Sequence, residues 1–159
     1  MIPNDIVDFL GRASVAIAST RDEDHIPYLH FLSGWSVDDD RRSVTCLVPE
    51  SFSAGLVERL VPDGRVAMVA EVIGPHETYQ LKGRYVAHRP ATDADRPVFE
   101  SCRGRFVGAV HRHLGGRFTD DVLAARFRDP VLALRFRVDE IFVQTPGPAA
   151  GRRVFPPEA

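Results

Sequence analysis

The chain has 159 residues, 44% of them hydrophobic and 26% charged, with a formal net charge of −2. This composition excludes a disordered polar chain and suffices to bury the core of one domain spanning residues 1–159. The near-neutral charge gives no reason to expect nucleic acid or an anionic membrane as partner, and no apolar run nears the ~18 residues of a membrane span.

Residues 3–10 read as a short helix, with Asn4 placed to cap it and Ile6, Val7, Phe9 and Leu10 forming an apolar side. The same stretch carries acids where a secretion signal needs basic residues. Residues 13–20 alternate small and branched side chains and predict a half-buried strand. A polar turn at 21–24 leads to a longer strand over 25–37, a second turn at 38–42 and a strand over 43–48. These are hairpin intervals, so the pairing should be antiparallel.

Pro49 ends that strand, and Ser51 or Ser53 can cap a helix running to about residue 61, striped by Phe52, Leu56 and Leu60. Pro62, Asp63 and Gly64 close it. Two strands follow at 65–73 and 76–88. Thr92 then opens a longer helix to Leu114, with acids in its first turn, and a short helix is expected over 120–127. Residues 131–138 alternate again and the strand resumes through 141–145, leaving a Gly/Pro-rich tail. The predicted fold is mainly β (α+β): a six-stranded antiparallel split β-barrel with flanking helices, a helical insertion at 92–127, and a C-terminal strand and tail over 131–159.

Motifs of catalysis are absent: the sequence holds no GxGxxG, P-loop, GxSxG or HExxH. His111 and His113 lie two apart, about 200° around a helix, and cannot share a metal, so no metal site is expected. Arg103, Arg105, Arg112 and Arg117, with Arg126, Arg128, Arg135 and Arg137, are offset by acidic residues across the chain and read as a solvated charged face. Cys46 and Cys102 have neither CxxC nor metal spacing, which predicts a reduced, cytoplasmic setting. The single tryptophan, Trp35, reads as packing rather than a ligand platform.

The stretch HETYQLKGRY, residues 76–85, holds Lys82, the one lysine against nineteen arginines. In an extended strand Thr78, Gln80 and Lys82 share one face, and Tyr79, Leu81 and Gly83 the other. The polar row suits water. It also supplies hydroxyl, amide and ammonium donors for a ligand rich in carbonyl and phosphate oxygens. Gly83 inside the strand predicts a bulge or a close backbone approach.

Five segments in this order carry a family likeness: ASVAIAST (13–20), IPYLH (26–30), VTCLVP (44–49), LVPDGRVA (60–67) and YQLKGR (79–84). The chain resembles the pyridoxamine 5′-phosphate oxidase-like FMN-binding split barrels. The resemblance implies a homodimer with two flavin sites at the subunit interface, each lined by both chains, and an FMN-dependent oxidoreductase acting on a small substrate. It assigns cofactor contacts to His30, Leu32, Val48, Ser51, Ser53, Thr78, Gln80, Lys82 and Arg152, with Arg153 beside the last. Catalytic acids or bases are not evident. The family's Arg-Lys phosphate pair is missing from 49–56, where Glu50 stands instead. That motivates a second reading, a cofactor-binding module without turnover (flavin, haem or deazaflavin) or a barrel that has lost flavin. A third is a dimeric barrel whose interface groove takes a peptide or protein partner.

Overall fold

A computed structural model describes residues 1–125 and 127–156; Arg126 of the arginine-rich segment and the tail end 157–159 lie outside the described residues. Its elements are α1 (Asn4–Arg12), β1 (Val15–Arg21), β2 (Pro27–Phe31), β3 (Gly34–Val37), β4 (Ser43–Pro49), α2 (Glu50–Asp63), β5 (Arg65–Val72), β6 (Glu77–Pro90), α3 (Arg96–Leu114), α4 (Asp120–Ala124), β7 (Pro130–Val143) and β8 (Arg153–Phe155). All strand pairs are antiparallel, in the order β2-β1-β5-β6-β7-β4-β3, with β8 added against β7.

The two strands at the ends of that order are consecutive in sequence, and this closes the sheet into a barrel. The predicted strand over 25–37 is one bent strand in two halves. Its switch lies at two residues: the Leu32 N–H donates to Ala16 O on β1, while the Ser33 N–H donates to Leu47 O on β4 (both 2.9 Å). A strand that changes partners at a bend is how a sheet turns a corner. Counting β2 and β3 as one gives the six predicted strands, and the short β8 in the tail is an addition that periodicity did not reveal.

The inner side is fixed by alternation. Ala16, Ala18 and Thr20 of β1 are buried, as are Met68 on β5, Leu81 on β6 and Ile141 on β7, which the register aligns across the sheet. Phe9 of α1, Phe52 of α2 and Phe99 of α3 enter the same core, as does Trp35, whose indole N–H donates to Leu10 O at 3.0 Å. Burying each such ring contributes on the order of 2–3 kcal/mol.

Gly83 behaves as predicted. β6 and β7 change register between Lys82 and Gly83, leaving Asp139 as the extra residue of a bulge. A Cβ on Gly83 would stand 1.8 Å from Arg137 O, so only glycine fits.

Two expected caps are not formed. Pro3 occupies the N-cap of α1, and the Asn4 Oδ1 instead accepts from Arg41. α2 starts one turn early, with Pro49 at its N-cap and no side chain capping it; a proline has no side-chain oxygen to offer, and Ser51 and Ser53 lie inside the helix. Gly64, at φ +64°, ends α2 as predicted. Thr92 does mark a helix start, through a capping box with Asp95 at the turn leading into α3.

Candidate functional site

The register sorts the outward side chains of β2, β1, β5, β6 and β7 into rows. One row is Phe31, Ile17, Val69, Gln80 and Phe142, apolar except for the glutamine. The next is Leu29, Ser19, Ala67, Lys82 and Glu140. Gln80 thus lies at the middle of an apolar strip on the outside of the barrel, its Oε1 3.4 Å from Gln144 Nε2 as acceptor. Lys82 is exposed, its Nζ 4.5 Å from the centroid of the Phe142 ring, which the ring quadrupole favours. On the opposite face Tyr79 packs edge-on against Phe9, and burial, reinforced by Glu77, pushes its phenol above the ordinary 10. It is no acid or base at neutral pH.

Thr78 shares the face of Gln80, as predicted, but is buried by the chain itself. Its hydroxyl donates to His76 O (2.8 Å) and its N–H to Thr145 Oγ1 (2.9 Å). Thr78 therefore anchors the tail. Arg152 lies on that tail, its main chain engaged with Val143 and Ala149 and its side chain exposed. Leu32 and Val48 are fully buried, so only their main chain is available to a ligand.

A second corner forms where β2 meets the start of α2. The His30 Nδ1 lies 2.9 Å from Phe31 O; with the proton on that nitrogen, Nε2 is left as an acceptor toward the Ser51 hydroxyl at 3.4 Å. The imidazole stacks on Phe52 (5.5 Å between centroids), and Phe52 stacks on Tyr28 (4.9 Å). The Arg59 guanidinium lies over the Tyr28 ring, 4.6 Å from its centroid, and is held by Gly55 O and Asp22. Gly55 permits this packing, since a Cβ there would come within 2.7 Å of the Tyr28 ring. Ser53 turns back to Glu50 O at 3.0 Å.

The structure thus brings His30 together with Ser51 and keeps Gln80 with Lys82, but separates the two pairs. His30 is opposite the inward Ala18, whereas Gln80 is opposite the outward Val69, so one chain presents them on opposite sides of its sheet. Sequence reading missed the Tyr28–Phe52–His30 stack, because contacts between a strand and a helix two elements later leave no period in sequence. It also missed the outward apolar strip, which needs the register of five strands.

Other features fall outside this region. Cys46 and Cys102 are free and buried, and burial raises both thiols, that of Cys46 well above the ordinary range. His111 Nε2 meets Asp120 at 2.6 Å, and among the described residues no group of three metal-ligating side chains converges. No described helix is long and apolar enough to cross a membrane.

No family model and no curated protein matches the chain by sequence. Solved structures do match. HupZ of Group A Streptococcus superposes with a TM-score of 0.57 at 14% identity, over 95% of this chain and 100% of that one. An F420 reductase gives 0.55 at 13% identity over 88% and 98% of the two chains. A candidate pyridoxamine 5′-phosphate oxidase of Lactobacillus delbrueckii gives 0.53 at 14% identity over 89% and 93%. An FMN-binding protein of Syntrophomonas wolfei shares the architecture too. At such identities the likeness is one of fold, and the chain has the split-barrel fold of the pyridoxamine 5′-phosphate oxidase-like proteins.

Proposed function

We propose that the chain is a single-domain FMN-binding flavoprotein that works as a cytoplasmic homodimer and acts as an oxidoreductase on a small substrate. The observation that carries this reading is the His30–Ser51 pair at the start of α2. Two residues 21 positions apart, both assigned to the flavin phosphate by resemblance, are brought within 3.4 Å of each other. The fit is chemical as well. No side chain caps α2, so the first amides of a 14-residue helix remain available to an anion, and the helix dipole favours one there. Two buried free thiols support a reducing compartment.

The separation of the two residue pairs supports the dimer. A site lined by His30 and Ser51 of one copy and by Gln80 of another needs two chains, and the strip of Phe31, Ile17, Val69 and Phe142 offers the apolar surface for such a contact. When bound, FMN supplies the hydride chemistry. The chain's own work is to hold and shield it: His30, Ser51 and the α2 amides take the phosphate, Gln80 offers its amide to the polar edge of the ring, and the apolar strip excludes water. Among the described residues of this site no side chain is an evident proton donor.

A second reading follows from one departure. The start of α2 carries Glu50 and no cation. Each missing charge-assisted bond weakens phosphate binding by about 1.5–3 kcal/mol. A carrier without turnover, or a deazaflavin in place of FMN, is consistent with that. Titration of the purified protein with FMN and with F420 settles the cofactor, and oxidation of NADH or NADPH separates enzyme from carrier. His30→Ala and Gln80→Ala should each weaken FMN binding at least tenfold. Unchanged affinity in both variants removes this site, and failure to quench FMN fluorescence removes the cofactor.

A further inference from the structure

Where the end of α1 meets α3 lies a small pocket of about 350 Å³. Three arginines line it, Arg12 of α1 and Arg105 and Arg112 of α3, together with Val72, Ile73 and Gly104; among the described residues no carboxylate does. The three charges are not equally answered. Arg12 forks onto both oxygens of Glu77 (2.8 and 3.1 Å) and is neutralised. Arg105 is half-buried and has only neutral partners: its Nε donates to Ala13 O, its Nη1 to Ser101 Oγ and its Nη2 to Cys102 Sγ (2.8, 2.8 and 3.0 Å). Arg112 has no hydrogen-bond or ion-pair partner among the described residues.

Between Glu100 and Asp120 the chain carries four arginines and no acid, so nothing on α3 itself offsets the pair. Residues 105 and 112 are almost two full turns apart and project from one face of the helix. Arg112 does not extend away into water: its Nη1 would lie 3.4 Å from a Cβ on Gly108, which turns the guanidinium back along α3 toward Arg105. The helix dipole favours a cation at 112, in the last turn, but not at 105, two turns earlier. A half-buried charge costs free energy unless an opposite charge stands near it. Gly104 is a separate observation. Glycine inside a helix is less stable than alanine, yet a Cβ at Gly104 would meet nothing within 4 Å. No packing contact in the molecule requires this glycine, and its missing side chain keeps the pocket open.

We infer that this pocket binds a small phosphoryl dianion, either inorganic phosphate or the phosphate of a small ester. Two guanidinium charges without a carboxylate match a dianion. A planar carboxylate fills one guanidinium fork, whereas a tetrahedral phosphoryl group presents oxygens to two. With three of its five N–H groups engaged, Arg105 keeps two for the ligand, and Arg112 keeps its whole fork. The volume is at the lower end for ligand pockets, and Val72 and Ile73 offer an apolar wall to a small organic group. No lining residue belongs to the flavin site, so the inference does not rest on that reading.

The test is calorimetric titration of the purified protein with inorganic phosphate, phenyl phosphate and malonate at one ionic strength, since salt screens exposed charge. Saturable phosphate binding is expected, weaker by about tenfold in Arg105→Gln and about fivefold in Arg112→Gln, with circular dichroism confirming the fold. Gly104→Leu keeps every arginine but fills the pocket, and should abolish binding. Arg103→Gln removes a charge that is paired with Glu100 at 3.5 Å, and should change nothing. If loss of the Ala13 bond unfolds Arg105→Gln, the Arg112 and Gly104 variants decide. No saturable phosphate binding, unchanged binding in Gly104→Leu, an equal loss in Arg103→Gln, or malonate binding as tightly as phosphate each overturns the inference. Tighter binding of phenyl phosphate assigns the site to an organic ester, and equal affinity assigns it to the free ion. All of these variants should bind FMN as the parent does. A parallel loss of FMN binding would give the pocket to the cofactor and overturn the inference, whereas a parent that binds phosphate but not FMN would sink the flavin reading alone.

Discussion

The starts of α2 and α3 are built from the same kinds of residue and put to opposite uses. Each follows a strand and offers hydroxyls and carboxylates to the first turn. Before α3, the chain consumes them. The Thr92 N–H and hydroxyl both reach Asp95 Oδ2 (2.8 and 3.3 Å), and Arg89 forks onto the two oxygens of Asp95 at 2.7 Å each. The Arg89 fork, ahead of the Thr92 bonds, lowers the buried Asp95 carboxyl from its ordinary 3.8 to about 2. Before α2, nothing comparable is spent: Glu50 and Ser51 are exposed, and Ser51 turns to His30 rather than to the helix. A helix start that satisfies itself is structural, and one that leaves its donors open is available to a ligand.

Three substitutions and conditions probe that contrast. The largest effect belongs to Asp95→Ala, which strips Arg89 of its partner and the turn of its cap. It should cost about 2–3 kcal/mol in chemical denaturation and leave FMN affinity unchanged. A comparable loss of flavin affinity would erase the distinction between the two helix starts. Next comes pH. Because the folded carboxyl is depressed, its stabilisation is complete above about pH 4 and is lost as pH falls toward 2. Arg89 is half exposed, so solvent screening reduces the full shift to about 1–2 kcal/mol. Asp95→Asn should flatten that acid limb of the stability curve, and an unchanged limb would assign acid sensitivity to other carboxylates. The smallest effect is Ser51→Ala, with stability within about 0.5 kcal/mol of the parent and FMN affinity down about fivefold. Clear destabilisation without loss of affinity would make Ser51 a structural residue after all.

Much of this was legible from side-chain order. Period-two alternation in residues 13–20 and 131–138 placed β1 and β7, and the Phe52, Leu56 and Leu60 stripe placed α2. Gly83 announced its bulge, and Thr92 its helix start. The misreadings share a cause. Serines at 51 and 53 looked like caps because hydroxyls favour that position, but backbone geometry, set by Pro49, began the helix earlier. Residues 25–37 read as a single strand since alternation does not show which neighbours a strand pairs with.

The candidate site divides along the same line. By itself the sequence determined which residues could share a face, because alternation is local: Thr78, Gln80 and Lys82 fall together on any extended strand. It also determined the chemical inventory, with a helix start free of cations and a lone lysine among arginines. Only the tertiary structure decided that Thr78 is spent on the tail, that His30 reaches Ser51, and that Gln80 lies on the other side of the sheet from both. It alone drew Arg12, Arg105 and Arg112 around one pocket. Register and barrel closure are set by the summed packing of strands distant in sequence, and no local pattern encodes that sum.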